Sequence, residues 1–503
     1  MFKNKKTLDP NAPLKELSGH KRPMTRRELL GRGFIAGGAM LTAPSIFRMM
    51  HSEAYAQQVF TCNGQSGGGK IPFICIDLGG GANVAGSNVL MGGPGGPMDF
   101  LDVGGYERLG LPPDLQPNQP NQISTELGVP MHADSAFLAG IVSKTSQITR
   151  DNCNGAIIAA RSENDTQNNP HNPIYGINKA GADGNLVTLI GSRNSDSGGR
   201  SVAPMSMIDP EKRPTKISTG NDATGLVDTG KLTEILDANG AAAVMTATEG
   251  ISDAKINKLA EDPNLLNLVH CGYEESANLV ATFGDPTVLD PRNDTAINGG
   301  IFSAQELNES RFEKTAAVMK LVVEGYAGAG VIEQGGYDYH NDTRSTGETR
   351  DFLAGQMMGA CLEFAALRNQ QLMLYVFTDG SLTSDGVIDN SAEGRGKGRW
   401  VADNSSTAAV FFLVYDPAGR PQLRTPTSGQ IGHFRSSGYV ETAANRVANN
   451  VNLLAEAIVL NFMALHDEVG MFGNVLPNHG LGAGADLDSL IAFAPIRASA
   501  PGT

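Results

Sequence analysis

The chain has 503 residues, a formal net charge of −14 and 40% hydrophobic residues, which is enough to bury a sizeable core and the wrong sign of charge for a partner built of phosphates. Gly accounts for 61 residues, aromatics for 6% and Trp for one, a composition that predicts many turns and long surface loops. The five cysteines, Cys62, Cys75, Cys153, Cys271 and Cys361, lack CxxC spacing, and an odd number cannot all pair within the chain; Cys75 and Cys361 sit in apolar contexts and read as small core residues.

Residues 1–56 read as a targeting segment. Lys and Arg cluster up to Arg27, an apolar run follows over 34–47, and Ala54-Tyr55-Ala56 supplies small residues at cleavage-site spacing. Met24-Thr25-Arg26-Arg27-Glu28-Leu29-Leu30 resembles a twin-arginine export signal, which implies the twin-arginine machinery as a partner and a periplasmic or extracellular address. The alternatives are an ordinary amphipathic helix and a retained anchor, but the apolar run is shorter than the ~20 residues a span needs. Removing this segment removes ten Lys/Arg and four Asp/Glu and takes the charge from −14 to −20. No basic stripe survives to hold nucleic acid, and no later run reaches membrane-spanning length.

After a Gly/Ser linker at 66–69, residues 71–76 form a continuous apolar run, the pattern of a strand covered on both faces, ending at Asp77. The following Leu78-Gly79-Gly80-Gly81-Ala82-Asn83 lacks the Gly-Lys-Ser/Thr of a phosphate loop and the third glycine of a dinucleotide fingerprint, so no nucleotide cofactor is expected. A Pro/Asn-rich loop covers 112–120. Residues 137–142 then offer a second short apolar strand, and a polar knot at 149–155 leads into a helical-looking stretch at 156–160. Residues 161–300 carry polar loops, a helical stretch near 232–236 and no internal repeat; they read as a loop-rich insertion in one domain spanning 57–503.

Order returns at Ser303, which with Glu306 makes a capping-box pattern ahead of a helix bearing Phe312, Ala316, Met319 and Val323 on one face. The run Val331-Ile332-Glu333-Gln334-Gly335-Gly336-Tyr337-Asp338-Tyr339-His340 then reads as a strand ending in a Gly-Gly turn that presents an Asp-x-His pair. A second helix carries Leu353, Met357, Ala360, Phe364 and Leu367, and the strand at 372–377 runs into Thr378-Asp379-Gly380-Ser381. Trp400 to Asn404, including Asp403, precede another apolar strand at 408–415, and Val447, Val451, Leu454, Ile458, Phe462 and Leu465 mark a long amphipathic helix. Strands separated by helices predict an α/β fold with a mostly parallel central sheet and helices on both faces.

Asp77, Asp338, His340, Asp379 and Asp403 therefore fall at or beside strand ends, with Asn83, Asn152 and Asn404 as neutral companions. In a parallel sheet such positions gather at one edge. Carboxylates in that number repel unless a cation or protons intervene, and an oxygen-rich set with one imidazole suits Mg, Mn or Ca. The expectation is a divalent-metal site made of these five residues. The bland alternative for each Asp is an Asx turn or a helix cap.

The segment Gly335 to His340, with the helix before it and Val376-Phe377-Thr378-Asp379-Gly380 after it, resembles the exported bacterial family catalogued as domain of unknown function 1501. That family carries a Gly-Gly-Trp-Asp-Thr-His segment, an acidic residue after the next strand, and a later Asp-His pair, behind an Arg-Arg signal. It is similar to a distant branch of the alkaline phosphatase and sulfatase superfamily, so the resemblance implies that fold and metal-dependent hydrolysis of phosphate or sulfate esters. By position, Asp338 and His340 match the family pair, Asp379 stands where the family has Glu, and Asp403 matches the later Asp. Asn404 stands in place of His, Val84 lies near another His position, and Asn152-Cys153-Asn154 occupies a Ser-His segment. An amide is a poor transition-metal ligand, which turns the expectation away from zinc. No Cys-x-Pro-Ser-Arg nucleophile segment is present, and Thr149 and Cys153 are the nearest nucleophile candidates. Two functions remain open at this point: a metal-dependent ester hydrolase with an unusual site, and a non-catalytic envelope or secretion-associated binding or assembly protein.

Overall fold

The computed structural model describes residues 69–162, 169–227 and 286–497. The targeting segment, most of the Gly/Ser linker, Cys62, Cys271 and the stretch near 232–236 lie outside the described residues, as does 163–168. The chain divides into two compact units. One comprises Gln65–Val227 and Thr287–Thr503 and carries everything below; the other, Met1–Gly64 with Asp228–Pro286, falls outside the described residues apart from Pro286.

The strands in chain order are β1 (Phe73–Gly79), β2 (Ile123–Ser124), β3 (Met131–His132), β4 (Cys153–Ala159), β5 (Val187–Gly191), β6 (Thr215–Lys216), β7 (Ala327–Gly335), β8 (Leu372–Thr378), β9 (Leu382–Ile388), β10 (Gly398–Asp403), β11 (Ala409–Tyr415) and β12 (Gln430–Ile431). Eight of them form one sheet in the order β12-β4-β11-β8-β1-β7-β5-β6. All neighbours in it are parallel except β11, which runs antiparallel to both β4 and β8. The apolar runs explain the centre: every residue of β1, β4, β8 and β11 is buried, as strands covered on both faces require.

Helices cover both faces, as the alternation of strands and helices predicts. On one side lie α1 (Ala136–Lys144), α2 (Ser310–Val323) and α3 (Ser345–Leu367); α2 lays Val318 and Val322 against Gly330 of β7. On the other, α4 (Val451–Leu465) and the short helix Ile174–Lys179 pack on Phe73, Cys75, Met373, Tyr375 and Phe377 through Leu454, Ile458 and Phe462. The Phe462 ring meets Phe73 edge-on at 5.7 Å. Cys75, Cys153 and Cys361 are buried and free. No helix among the described residues is long and apolar enough to cross a membrane.

Several local expectations are reversed. Residues 137–142 belong to helix α1, begun by Ser135, whose hydroxyl accepts the Leu138 N–H at 3.1 Å. Residues 156–160, expected to be helical, lie in or just after β4, where β-branched Ile157 and Ile158 sit between two neighbouring strands. The Ser303/Glu306 box forms, with the Glu306 N–H donating to Ser303 Oγ at 3.2 Å and the Ser303 N–H to Glu306 Oε2 at 2.8 Å. It caps a short 3₁₀ turn, Glu306–Asn308, ahead of α2. The poorly legible stretch after 161 contributes β5 and β6 to the sheet, and β10 pairs with β9 outside it.

Candidate functional site

The carboxyl edge of the parallel strands collects the chemistry. β1, β7 and β8 leave the sheet there, and because β11 is reversed, its entry loop arrives at the same edge; Phe411 lies opposite Val376, so the start of β11 faces the end of β8. The exits interlock through glycine. Gly80 has φ +114°, and a Cβ there would lie 2.5 Å from the Tyr337 carbonyl oxygen, so only glycine admits the β7 exit this close. The Asp338 N–H donates to the Gly81 carbonyl at 2.7 Å and the Asp379 N–H to the Gly80 carbonyl at 3.2 Å. Residues 340–343 then run beside β10, with N–H donations from Asp342 to the Trp400 carbonyl at 3.0 Å and from Trp400 to the Thr343 carbonyl at 3.1 Å.

That pairing sets His340 against Asp403. His340 Nε2 lies 3.0 Å from Asp338 Oδ1 and 3.2 Å from Asp403 Oδ2, and the three ligand atoms lie within 4.8 Å of one another. The side chains are 41%, 35% and 28% exposed for Asp338, His340 and Asp403, so the cluster opens to solvent. Asp338 adopts φ 85°, a backbone conformation that costs a non-glycine residue roughly 1–3 kcal/mol and persists only where its surroundings enforce it.

Two of the five expected residues stand apart from this group. Asp77 follows Phe73 and Cys75 on the same face of β1, turned toward the α4 side. There Oδ2 accepts the Arg200 and Ser201 N–H groups at 2.6 and 2.9 Å and Oδ1 the Ser201 hydroxyl at 3.3 Å. It anchors a loop. Asp379, fully buried, continues the face of Tyr375 and Phe377 and accepts a hydrogen bond from Asn169 Nδ2. Asn404 caps a turn, its Oδ1 accepting the Ser406 N–H at 2.8 Å. Asn83 Oδ1 accepts the Ser87 hydroxyl at 2.6 Å. Asn152, Thr149 and Cys153 lie at or before the start of β4, the opposite edge of the sheet, and burial pushes the Cys153 thiol up to about 12. Neither nucleophile candidate reaches the cluster.

The structure adds residues that motif reading missed. Tyr337 and Tyr339 flank Asp338 and are buried. Their alternation with Asp338 and His340 was a signal that the acidic residues overshadowed. His171 and Asn169 come from a polar loop without periodicity. The His171 ring meets Phe377 edge-on at 6.3 Å, and burial pushes it down to about 4, with the Thr378 backbone acting in the other direction.

Burial raises Asp77 to about 6 against hydrogen bonds from Ser201 and Arg200 that lower it. A folded-state pKa above the unfolded 3.8 means the folded protein holds the proton more tightly; the contribution is complete below about pH 4 and is lost as pH rises through about 6. Asp77→Asn is expected to remove about 2–3 kcal/mol of this pH-dependent loss, because an amide oxygen still accepts both N–H groups and its NH₂ can donate to Ser201 Oγ. Urea unfolding across that pH range measures it; an unchanged slope would contradict the assignment.

No protein-family model matches this chain, and no curated protein matches it in sequence.

Proposed function

We propose that the protein is an exported, divalent-cation-dependent hydrolase of phosphate or sulfate esters, with the cation held by Asp338, His340 and Asp403. The observation that carries this reading is one imidazole nitrogen facing two carboxylate oxygens, at 3.0 and 3.2 Å. A ring nitrogen carrying one proton can only divide it between the two oxygens, which leaves each bond weak, and two nearby carboxylates repel. A cation shared by the three relieves both conflicts. Two carboxylates and one imidazole favour Mg, Mn or Ca over Zn, and the exposure of the cluster leaves room for water and an ester to approach. A cation there would polarise an ester oxygen and lower the pKa of bound water. Asp338 and Asp403 supply the negative charge, and the pairing of 340–343 with β10 holds His340 between them.

The second reading, a non-catalytic binding or assembly protein, is favoured by Asn404, whose side chain serves as a turn cap at the position where the resembled family has His. Calorimetric titration of chelator-treated protein with Mg, Mn, Ca and Zn, followed by assays on phosphate monoesters, phosphodiesters and sulfate esters, separates the readings. Cation binding with ester turnover supports the hydrolase; binding without turnover supports the second reading; no binding at millimolar cation overturns the site. Export is tested separately. Replacing Arg26 and Arg27 with Lys should retain the protein in the cytoplasm, and unchanged periplasmic yield would rule out the twin-arginine route.

A further inference from the structure

We propose that Asp351 is a positioning residue for the Asp338–His340–Asp403 cluster, acting through the phenol of Tyr339; the proposal rests on the cation-binding reading above for its function but on hydrogen-bond geometry for its structure. Asp338 sits at φ 85° between two buried tyrosines. Both reach α3 at consecutive residues. Tyr337 OH donates to the Arg350 carbonyl at 2.9 Å, and Tyr339 OH donates to Asp351 Oδ1 at 2.8 Å. The Tyr339 oxygen also accepts the Asn83 N–H at 3.2 Å, which ties the β1 exit to the same phenol. Asn88 Nδ2 donates to Asp351 Oδ2 at 3.0 Å and to the Asn83 carbonyl at 2.9 Å. Asn88 Oδ1 in turn accepts the Ser135 hydroxyl at 2.8 Å, at the start of α1.

A closed ring of hydrogen bonds through Tyr339, Asp351, Asn88 and Asn83 therefore joins the β1 exit, the β7 exit and the second turn of α3, with a branch from Asn88 to Ser135 at the start of α1. Only the Tyr339 phenol belongs to the segment carrying the cluster. Gly347 makes room for it: a Cβ there would lie 2.7 Å from the Tyr339 ring. Asp351 is 2% exposed and makes no ion pair among the described residues. A buried carboxylate held by neutral donors alone is an expensive way to stabilise a fold, but it is a rigid, two-oxygen acceptor that fixes a phenol on one side and an amide on the other. With the phenol fixed, the residues before and after it, Asp338 and His340, have their backbone directions fixed.

The experiment compares full-chain wild type with Tyr339→Phe, Asp351→Ala and Asp351→Asn, using Mn²⁺ titration by calorimetry and the thermal unfolding midpoint in chelator. Val459→Ala, a buried truncation on α4, serves as a destabilised control. Tyr339→Phe and Asp351→Ala are expected to weaken Mn²⁺ binding by about tenfold. Asp351→Asn keeps an acceptor for the phenol but turns its NH₂ toward Asn88 Nδ2, so it should lose clearly less affinity than Asp351→Ala without full recovery, and Val459→Ala should lower the midpoint with unchanged affinity. Affinities within twofold of wild type for both Tyr339→Phe and Asp351→Ala would overturn the proposal, whatever their midpoints. Crystal structures of Tyr339→Phe and Asp351→Asn give a reading independent of the cation. His340 is expected to leave Asp403 in the first and stay in the second, and a cluster unchanged in Tyr339→Phe overturns the proposal. If wild type binds no Mn²⁺, the cation reading falls, and the crystal structures still decide whether Asp351 positions the cluster.

Discussion

Glu348→Gln is expected to lower the unfolding free energy by about 3–5 kcal/mol, the usual cost of removing one partner from a buried charge cluster. Glu348 is the hub of that cluster. Its Oε1 lies 2.7 Å from Arg344 Nε and 3.0 Å from Lys397 Nζ, and its Oε2 lies 3.0 Å from Lys397 Nζ and 3.4 Å from an Arg395 nitrogen. The Arg344 and Lys397 side chains are 1% and 0% exposed, so with a neutral amide at 348 these cations lose their common anion, and Asp134 alone remains to face Arg395 and Lys397. Burial already pushes Lys397 down to about 8, with Glu348 acting against it. A lysine whose folded-state pKa is depressed adds stability as pH rises, since the unfolded chain then binds the extra proton. Without Glu348 to raise it, the Lys397 pKa falls further in the folded variant, so the variant gains this stability at lower pH than wild type does. The deficit should shrink as pH rises to about 8 and stay level above it, and urea unfolding at about pH 6, 8 and 10 checks it. A deficit that grows with pH would place the cost elsewhere.

Gly355→Val is expected to cost at least about 3 kcal/mol, at the upper end of overpacking effects, and to leave little soluble protein. α1 and α3 cross with almost no separation. A Cβ on Gly355 would lie 2.2 Å from the Phe137 carbonyl oxygen, and one on Gly140 would lie 2.1 Å from the Phe352 carbonyl oxygen. The obstacles are backbone atoms of paired helices, which cannot turn aside as a flexible side chain would. Expression yield and thermal unfolding of the variant measure the effect. Gly104→Ala, at an exposed glycine where a Cβ meets nothing within 4 Å, is the neutral comparison.

The sequence displays its helices and central strands where the period is long or the run continuous. Phe312, Ala316, Met319 and Val323 mark α2, and the unbroken apolar runs mark β1, β8 and β11. What such a run hides is direction and parity. A strand buried on both faces reads the same whether parallel or antiparallel, so nothing at 408–415 announces that β11 is reversed and delivers Asp403 from its entry side. Residues 71–76 likewise show no alternation, which conceals that Asp77 shares a face with Phe73 and Cys75 and turns away from the edge. Short apolar stretches such as 137–142 and 156–160 lack the length to distinguish helix from strand, and tertiary packing decided each against its local reading. The Asp338/His340 pair was visible because the Gly-Gly turn punctuates it. Its supports, Asp351 and Asn88, were not, since a polar residue that satisfies distant partners leaves no mark in its own neighbourhood.

Trp400 is the chain's only tryptophan. It is 1% exposed in β10, and the Arg344 guanidinium lies 4.3 Å from its ring centroid. The indole stands three residues before Asp403 and shares backbone hydrogen bonds with the segment that follows His340. The protein thus carries a built-in optical reporter at the seam where the β9–β10 hairpin meets the β7 exit. Indole emission during refolding will time the closing of that seam together with its packing on Gly110 and the start of α3, separately from the far-ultraviolet signal of the sheet and helices. A tryptophan phase slower than the backbone phase would mean that Asp403 joins Asp338 and His340 after the surrounding architecture has already formed.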